Sequence, residues 1–354
     1  MFKNKVIVIT GGTGSLGKVL TRRILSGEMG TPKKVIILSR DEAKQHAMRL
    51  EYLHQKVTTD EVIYDNFQRI LEFRIGDVRS YVDVCHALKN ANIVINAAAL
   101  KQVPTCEYFP SQALSTNCDG AYNIVRVLEE HHYPVETVVG VSTDKACKPV
   151  NVMGMTKAIQ ERIFTSSGVK VPHVRFICVR YGNVLASRGS VVPLFHDQIK
   201  HGGPVTITTT DMTRFLLSIN QAVDCIFAAI KDGKQGEIYI PQVPSANITD
   251  VAQALIGHKK IEIKVTGIRP GEKIHESLIS EEERYFTIQR GNYFAITSML
   301  PELASKELKN SKLPFEGAYS SAHHVLSFDD TVKLLQEHNL LNPDHFKYDD
   351  ELLV

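Results

Sequence analysis

Apolar residues in this chain gather into short runs separated by longer amphipathic stretches. The first run, Val6-Ile7-Val8-Ile9-Thr10, has no polar interruption, as expected for a strand covered on both faces. Comparable runs predict strands at 5–10, 34–39, 72–75, 93–96, 137–142 and 175–180. Between them, three- and four-residue apolar spacing predicts helices at about 15–26, 41–54, 82–88, 111–130 and 153–166; Ala121, Ile124, Val125 and Leu128 share one face of the fourth. Strands alternating with helices imply βαβ units on a parallel sheet, an α/β fold of the doubly wound Rossmann kind. Beyond about Gly182 the pattern becomes irregular, with Pro/Gly turns and smaller helices at 221–231 and 249–255. The expected organisation is a dinucleotide-binding domain over 1–181, to which segments near 219–241 return. A smaller α/β substrate domain over 182–354 ends in an acidic tail, 344–354, expected to fray or to contact another subunit.

Composition narrows the class. A chain of 354 residues that is 43% hydrophobic can bury a large core, and a formal net charge of +2 with no long Lys/Arg block argues against a nucleic-acid or anionic-membrane partner. Six cysteines without a C-x-x-C spacing fit reduced thiols better than a zinc site or a disulfide framework, so no metal is expected. Residues 1–5 lead straight into a strand, without the apolar length of a signal peptide or a membrane span. The expectation is a soluble, cytoplasmic protein.

Candidate chemistry begins where the first strand meets Gly11-Gly12-Thr13-Gly14-Ser15-Leu16-Gly17. Gly11, Gly14 and Gly17, set between a strand and a helix, suit a tight turn, close approach of backbone to a pyrophosphate, and a helix N-terminus aimed at anionic charge. Gly11, Thr13, Gly14, Ser15, Leu16 and Gly17 are therefore the expected dinucleotide contacts. The second strand ends in Ser39-Arg40-Asp41, with Lys44 one helical turn on. Ser39, Arg40 and Lys44 favour a 2′-phosphate and hence NADP; Asp41 is the carboxylate that a two-residue shift would bring to a ribose hydroxyl instead. Asp77 and Val78 after the third strand are expected at the adenine, and Ala97-Ala98-Ala99 after the fourth leave room for the cofactor.

Further motifs follow in a fixed order: Ala99-Leu100-Lys101-Gln102-Val103-Pro104, Ser142-Thr143-Asp144-Lys145-Ala146, Met153-Gly154-Met155-Thr156-Lys157, Arg180-Tyr181-Gly182-Asn183-Val184, Ser187-Arg188-Gly189-Ser190-Val191-Val192-Pro193, Asp211-Met212-Thr213-Arg214-Phe215 and Arg269-Pro270-Gly271-Glu272-Lys273. In these the chain resembles, over nearly its whole length, the extended short-chain dehydrogenase/reductases. Within them it is similar to the UDP-N-acetylglucosamine 4,6-dehydratases of bacterial surface-polysaccharide synthesis. Such enzymes usually carry Tyr four residues before the Lys; Met153 stands there, and a thioether cannot carry a proton.

The resemblance implies three steps on one retained NADP: oxidation at sugar C4, loss of the C5 proton and the C6 hydroxyl as water, and hydride return to C6. It assigns Lys145 as the C5 base, Asp144 as the acid for the C6 hydroxyl, and Thr143 as a hydrogen-bond partner of the sugar O4. Lys157 is set at the nicotinamide ribose, with Tyr181 alongside. Lys145 would need a lowered pKa, for which burial and a nearby cation are the expected causes. The acceptor of the C4 hydroxyl proton is open between Lys157 through Thr143, a water, and Tyr181. For the substrate, Arg214 and Arg269 are assigned to the diphosphate, Asn183 to the diphosphate or the amide-bearing sugar, Glu272 to a ribose hydroxyl, and Val192 and Pro193 to the uracil side. Lys101 reads equally as a sugar contact or a loop charge, Arg188 as a phosphate ligand or a surface charge, and Cys106 as a packing residue or the base of a C3 epimerisation. The S-T-D-K order implies inversion at C5. The alternatives are a C5-retaining dehydratase, a UDP-sugar 4-epimerase, and a catalytically silent NADP-binding protein. A homo-oligomer, dimer or hexamer, is implied by analogy.

Overall fold

The computed structural model describes residues 1–54, 61–185 and 190–342. Its centre is a nine-stranded sheet. Strands β1 (Val6–Thr10), β2 (Lys34–Ser39), β3 (Leu71–Ile75), β4 (Ile93–Asn96), β5 (Thr137–Val141) and β6 (Arg175–Val179) run parallel in the spatial order 3-2-1-4-5-6. That is the doubly wound dinucleotide-binding order, with its switch point between β1 and β4. Every residue of β1 and β4 is buried, which explains their unbroken apolar runs: helices cover both faces.

The second half of the chain contributes more to this sheet than the expected return near 219–241. Ile238–Pro241 adds parallel to β6, and Tyr293–Ile296 and Thr287–Arg290 follow antiparallel. This hairpin covers what would otherwise be an exposed edge, and such pairing is set by distant partners that local periodicity does not encode. A second core of Leu185, Val192, Phe195, Val205, Leu216, Val251 and Leu335, with their neighbours, lies under the helices Val191–Lys200, Ile248–Ile256 and Phe328–Glu337. The acidic tail falls outside the described residues.

One expected helix is interrupted. In place of a continuous run over 111–130, a short helix (Pro110–Leu114) passes through a π-turn (Ser115–Asp119) into the helix Gly120–Glu130. The cause is Asn117, which is fully buried. Its Oδ1 accepts from Leu100 N at 2.8 Å, and its Nδ2 donates to Leu100 O at 3.0 Å and Thr156 Oγ1 at 2.9 Å. The wider turn brings the amide inward, where it ties the loop after β4 to the helix Val152–Ser166. Helices at Glu61–Ile70 and Val103–Tyr108 add to those expected. Among the described residues, no helix is long and apolar enough to cross a membrane, and all six cysteines are free.

Candidate active site

The glycine turn lies at the switch point. Gly11 has φ +66°, and a Cβ there would sit 2.7 Å from Ala98 Cα; one on Gly17 would sit 2.4 Å from Gly12 Cα. Both glycines are thus fixed by close backbone approach, and the turn meets the Ala97-Ala98-Ala99 loop directly. Gly14 caps the helix Ser15–Leu25, whose first turn has neither a side-chain cap nor an acidic residue. Its N–H groups are left for an anion, with Ser15 and Leu16 opening the helix.

At the end of β2, Thr13 Oγ1 and Ser39 Oγ lie 3.0 Å apart and both residues are buried. Asp41 is committed to Lys44, accepting from its backbone N at 2.9 Å and its Nζ at 2.7 Å. Lys44 is therefore pinned at the helix start, and Arg40 is the exposed cation, 3.9 Å from Asp77. Asp77 holds Arg79 at 2.6 Å; burial raises its carboxyl, but Arg79 outweighs this and keeps it below the usual range. Val78 is buried beneath it, against Gly120.

After β5 the chain turns through Thr143 into a single turn, Asp144–Ala146. Asp144 is fully buried. Its Oδ1 accepts from Thr143 Oγ1 at 2.8 Å and from Lys145 Nζ at 3.1 Å, while its Oδ2 has no hydrogen-bond partner. Lys145 Nζ also reaches Asn183 Oδ1 at 3.3 Å and Glu276 Oε1 at 3.5 Å. Burial opposes the charge on Lys145, but Asp144 and Glu276 outweigh burial and the nearby Arg214, so its pKa lies above the ordinary value. This corrects the expectation of a lowered Lys145: the two carboxylates decide the sign.

The lowered lysine is Lys157, brought to about 8 by burial. Its Nζ donates to Val141 O at 2.5 Å and Gln160 Oε1 at 2.7 Å. Met153 packs with Cys106, Ala113, Leu100 and Val103 in a small apolar cluster, and burial pushes the Cys106 thiol up. Cys106 thus has the surroundings of a packing residue, not of a base. Tyr181 lies within the main core, where burial drives its phenol far up, which makes it a poor proton acceptor.

Of the expected substrate residues, Asn183 joins the Lys145 cluster. Glu272 accepts from Thr208 Oγ1 at 3.1 Å. Arg214 is buried and donates to three backbone carbonyls, Thr213 and Ile274 at 2.8 and 2.9 Å and Lys273 at 2.9 Å. Its guanidinium clamps the loop before Glu276 as well as bearing on the cluster. Arg269 and Lys101 are exposed, and Pro193 is half-buried at the start of the helix Val191–Lys200. Val192 is wholly inside the second core, a correction to its expected place at the uracil side: the first turn of that helix must fill the core. Arg188 lies outside the described residues.

The chain matches the family model for polysaccharide biosynthesis proteins over residues 7–298. The chain belongs to that family. A Rickettsia typhi protein named UDP-glucose 4-epimerase is 42% identical over 301 residues, 84% of each chain. The X-ray structure of Pen from Bacillus thuringiensis matches with a TM-score of 0.84 at 32% identity, over 96% of this chain and 99% of that one. DesIV from Streptomyces venezuelae, a dTDP-glucose 4,6-dehydratase solved with NAD and TYD, shares the fold at a TM-score of 0.63 and 17% identity, over 94% of this chain and 98% of that one.

Behind the site this member of the family carries a buried ionic lock that sequence reasoning missed. Arg180 donates to Glu161 at 2.6 and 2.9 Å and to Glu283 at 2.7 and 2.9 Å, and Ser142 Oγ donates to Glu161 Oε1 at 2.5 Å. The residues after β5 and β6, the Lys157 helix and the 280s are thereby held together. Glu276 was missed as well. Its one sequence signal is a carboxylate placed just ahead of the apolar Leu278-Ile279.

Proposed function

We propose that this protein is a UDP-N-acetylglucosamine 4,6-dehydratase that inverts C5, using a retained NADP in the cytoplasm during surface-polysaccharide synthesis. The observation that carries the reading is the buried Asp144–Lys145 pair. A 4-epimerase needs proton transfer only at the C4 oxygen, whereas elimination across C5 and C6 needs an acid and a base side by side. Moving one proton from Lys145 Nζ to Asp144 Oδ1, across 3.1 Å, breaks one N–H and makes one O–H. Lys145 is then neutral and able to take the C5 proton, and Asp144 is an acid able to protonate the departing C6 oxygen. After elimination both return to the charged pair. Lys157, brought to about 8, is the group suited to accept the C4 hydroxyl proton through Thr143 or a water.

The nicotinamide supplies a hydride acceptor and donor when bound. The uncapped helix end after Gly14, the close approach at Gly11 and the small Ala97–Ala99 loop fit its pyrophosphate and ring. Ser39 at the strand end, exposed Arg40 beside it and Asp41 committed to Lys44 support NADP over NAD. Exposed Tyr108, Leu114, Tyr122, Met155 and Ile159 on neighbouring helices support a homo-oligomer. The 4-epimerase reading has its own support in the name of the Rickettsia typhi relative.

The test is an NMR time course with UDP-GlcNAc in D₂O and no added cofactor, alongside identification of the nucleotide released on denaturation. A 4-keto-6-deoxy product with deuterium at an inverted C5, and NADP in the extract, is the expected result. Retained C5 configuration overturns the stereochemistry alone, UDP-GalNAc supports the epimerase, and NAD in the extract overturns the cofactor assignment.

A further inference from the structure

Lys145 is a base only when neutral, yet the site holds it as an ammonium. Asp144 accounts for part of that hold and is needed elsewhere as the acid. The other carboxylate is Glu276, and its placement is costly. It is 2% exposed, its Oε1 lies 3.5 Å from Lys145 Nζ, and its Oε2 has no hydrogen-bond partner. A buried carboxylate with an oxygen that accepts no hydrogen bond is expensive for a fold to keep. Its backbone is fixed as well: Glu276 N donates to Ser321 Oγ at 3.0 Å and Glu276 O accepts from Ser321 N at 2.8 Å. Arg214 clamps the carbonyls of Lys273 and Ile274 just before it.

We propose that Glu276 is a positioning residue for the Lys145 base, holding its side chain in the site and setting the pH at which it gives up its proton. This rests on the reading of Lys145 as the C5 base. Every charged group bearing on the pair enters the balance. Asp144 and Glu276 favour the ammonium, while Arg214 opposes it. Burial drives Glu276 itself toward the neutral acid and Asp144 reinforces this, against Lys145, Arg214 and Lys273, the last 3.9 Å from Oε2. The net balance sets the Glu276 carboxyl above its ordinary range, and taking that carboxyl away removes one of the two acidic groups that favour the Lys145 ammonium, so the lysine gives up its proton at lower pH.

The experiment is competitive labelling of Lys145 with an amine-acylating reagent across pH 6–11, read by mass spectrometry of its peptide in the full-length protein, which requires neither substrate nor turnover. In Glu276→Gln, which keeps the side-chain size, the labelling midpoint falls by about one pH unit or more, a tenfold rise in neutral Lys145 below the midpoint. In Glu276→Asp, where the charge is kept but drawn back by one methylene, it falls by less. The pH limb of C5 deuterium exchange into UDP-GlcNAc moves down with the labelling midpoint, which loosened packing alone does not produce. An unchanged midpoint in whichever variant is folded by circular dichroism overturns the proposal. A shifted midpoint without C5 exchange in the wild type leaves Glu276 as the group that sets the titration of Lys145 and overturns the dehydratase reading instead.

Discussion

Replacing Lys157 by methionine isolates the cost of burying its charge. Burial lowers its pKa from 10.5 to about 8. At about 1.4 kcal/mol per unit, the buried ammonium costs about 3 kcal/mol relative to the unfolded chain. Between pH 8 and 10.5 the folded protein binds fewer protons at this site than the unfolded one, so wild-type stability rises with pH through that window. Below pH 8 both states carry the proton and the full penalty applies. Lys157→Met has no such term. The stability difference between the two proteins therefore shifts in favour of the wild type by about 3 kcal/mol from pH 7.5 to pH 10.5. The hydrogen bonds lost from Val141 O and Gln160 Oε1 offset the whole difference curve and leave its slope unchanged to first order. Urea unfolding followed by circular dichroism at four pH values gives the difference directly, and other titrating groups cancel between the proteins. Parallel curves would show that Lys157 is solvated or compensated and would remove the argument for it as a proton acceptor near neutrality.

Three other outcomes follow from the same structure. Arg180→Met leaves Glu161 and Glu283 buried without their shared cation and lowers stability by about 3–5 kcal/mol in urea titrations; a loss below about 1 kcal/mol would mean that water enters the lock. Asn117→Leu strips the half-buried Leu100 N–H of its partner and leaves its C=O only the weak Cys106 thiol donor at 3.8 Å, which costs about 1–3 kcal/mol by the same assay, with faster hydrogen exchange at Leu100. Gly17→Ala places a methyl 2.4 Å from Gly12 Cα, so the purified variant retains less than a tenth of the wild-type nucleotide, read by absorbance of a perchloric-acid extract.

The parallel sheet was legible because β1, β2 and β4 to β6 are buried on both faces and so are apolar between their ends, and the glycine turn because its two contacts at 2.7 and 2.4 Å tolerate no side chain. What escaped the sequence is set by partners far along the chain. The hairpin 287–296 joins the sheet through residues some 50 positions away. The π-turn exists because Asn117 reaches Leu100 and Thr156, so helical periodicity alone reads straight through it.

The candidate site divides along the same line. Asp144, Lys145 and Lys157 are local motif residues, visible in the sequence as candidates, but which lysine is lowered could not be read from it. Lys145 shares its pocket with Glu276, 131 positions downstream, and Lys157 lies against neutral carbonyls. Two lysines twelve residues apart thus acquire opposite shifts: half-buried Lys145 is governed by its carboxylates, and buried Lys157 by its burial. Charge state is a property of the assembled cluster, and in this cluster two carboxylates decide it: Asp144, from the motif itself, and Glu276, to which no motif pointed.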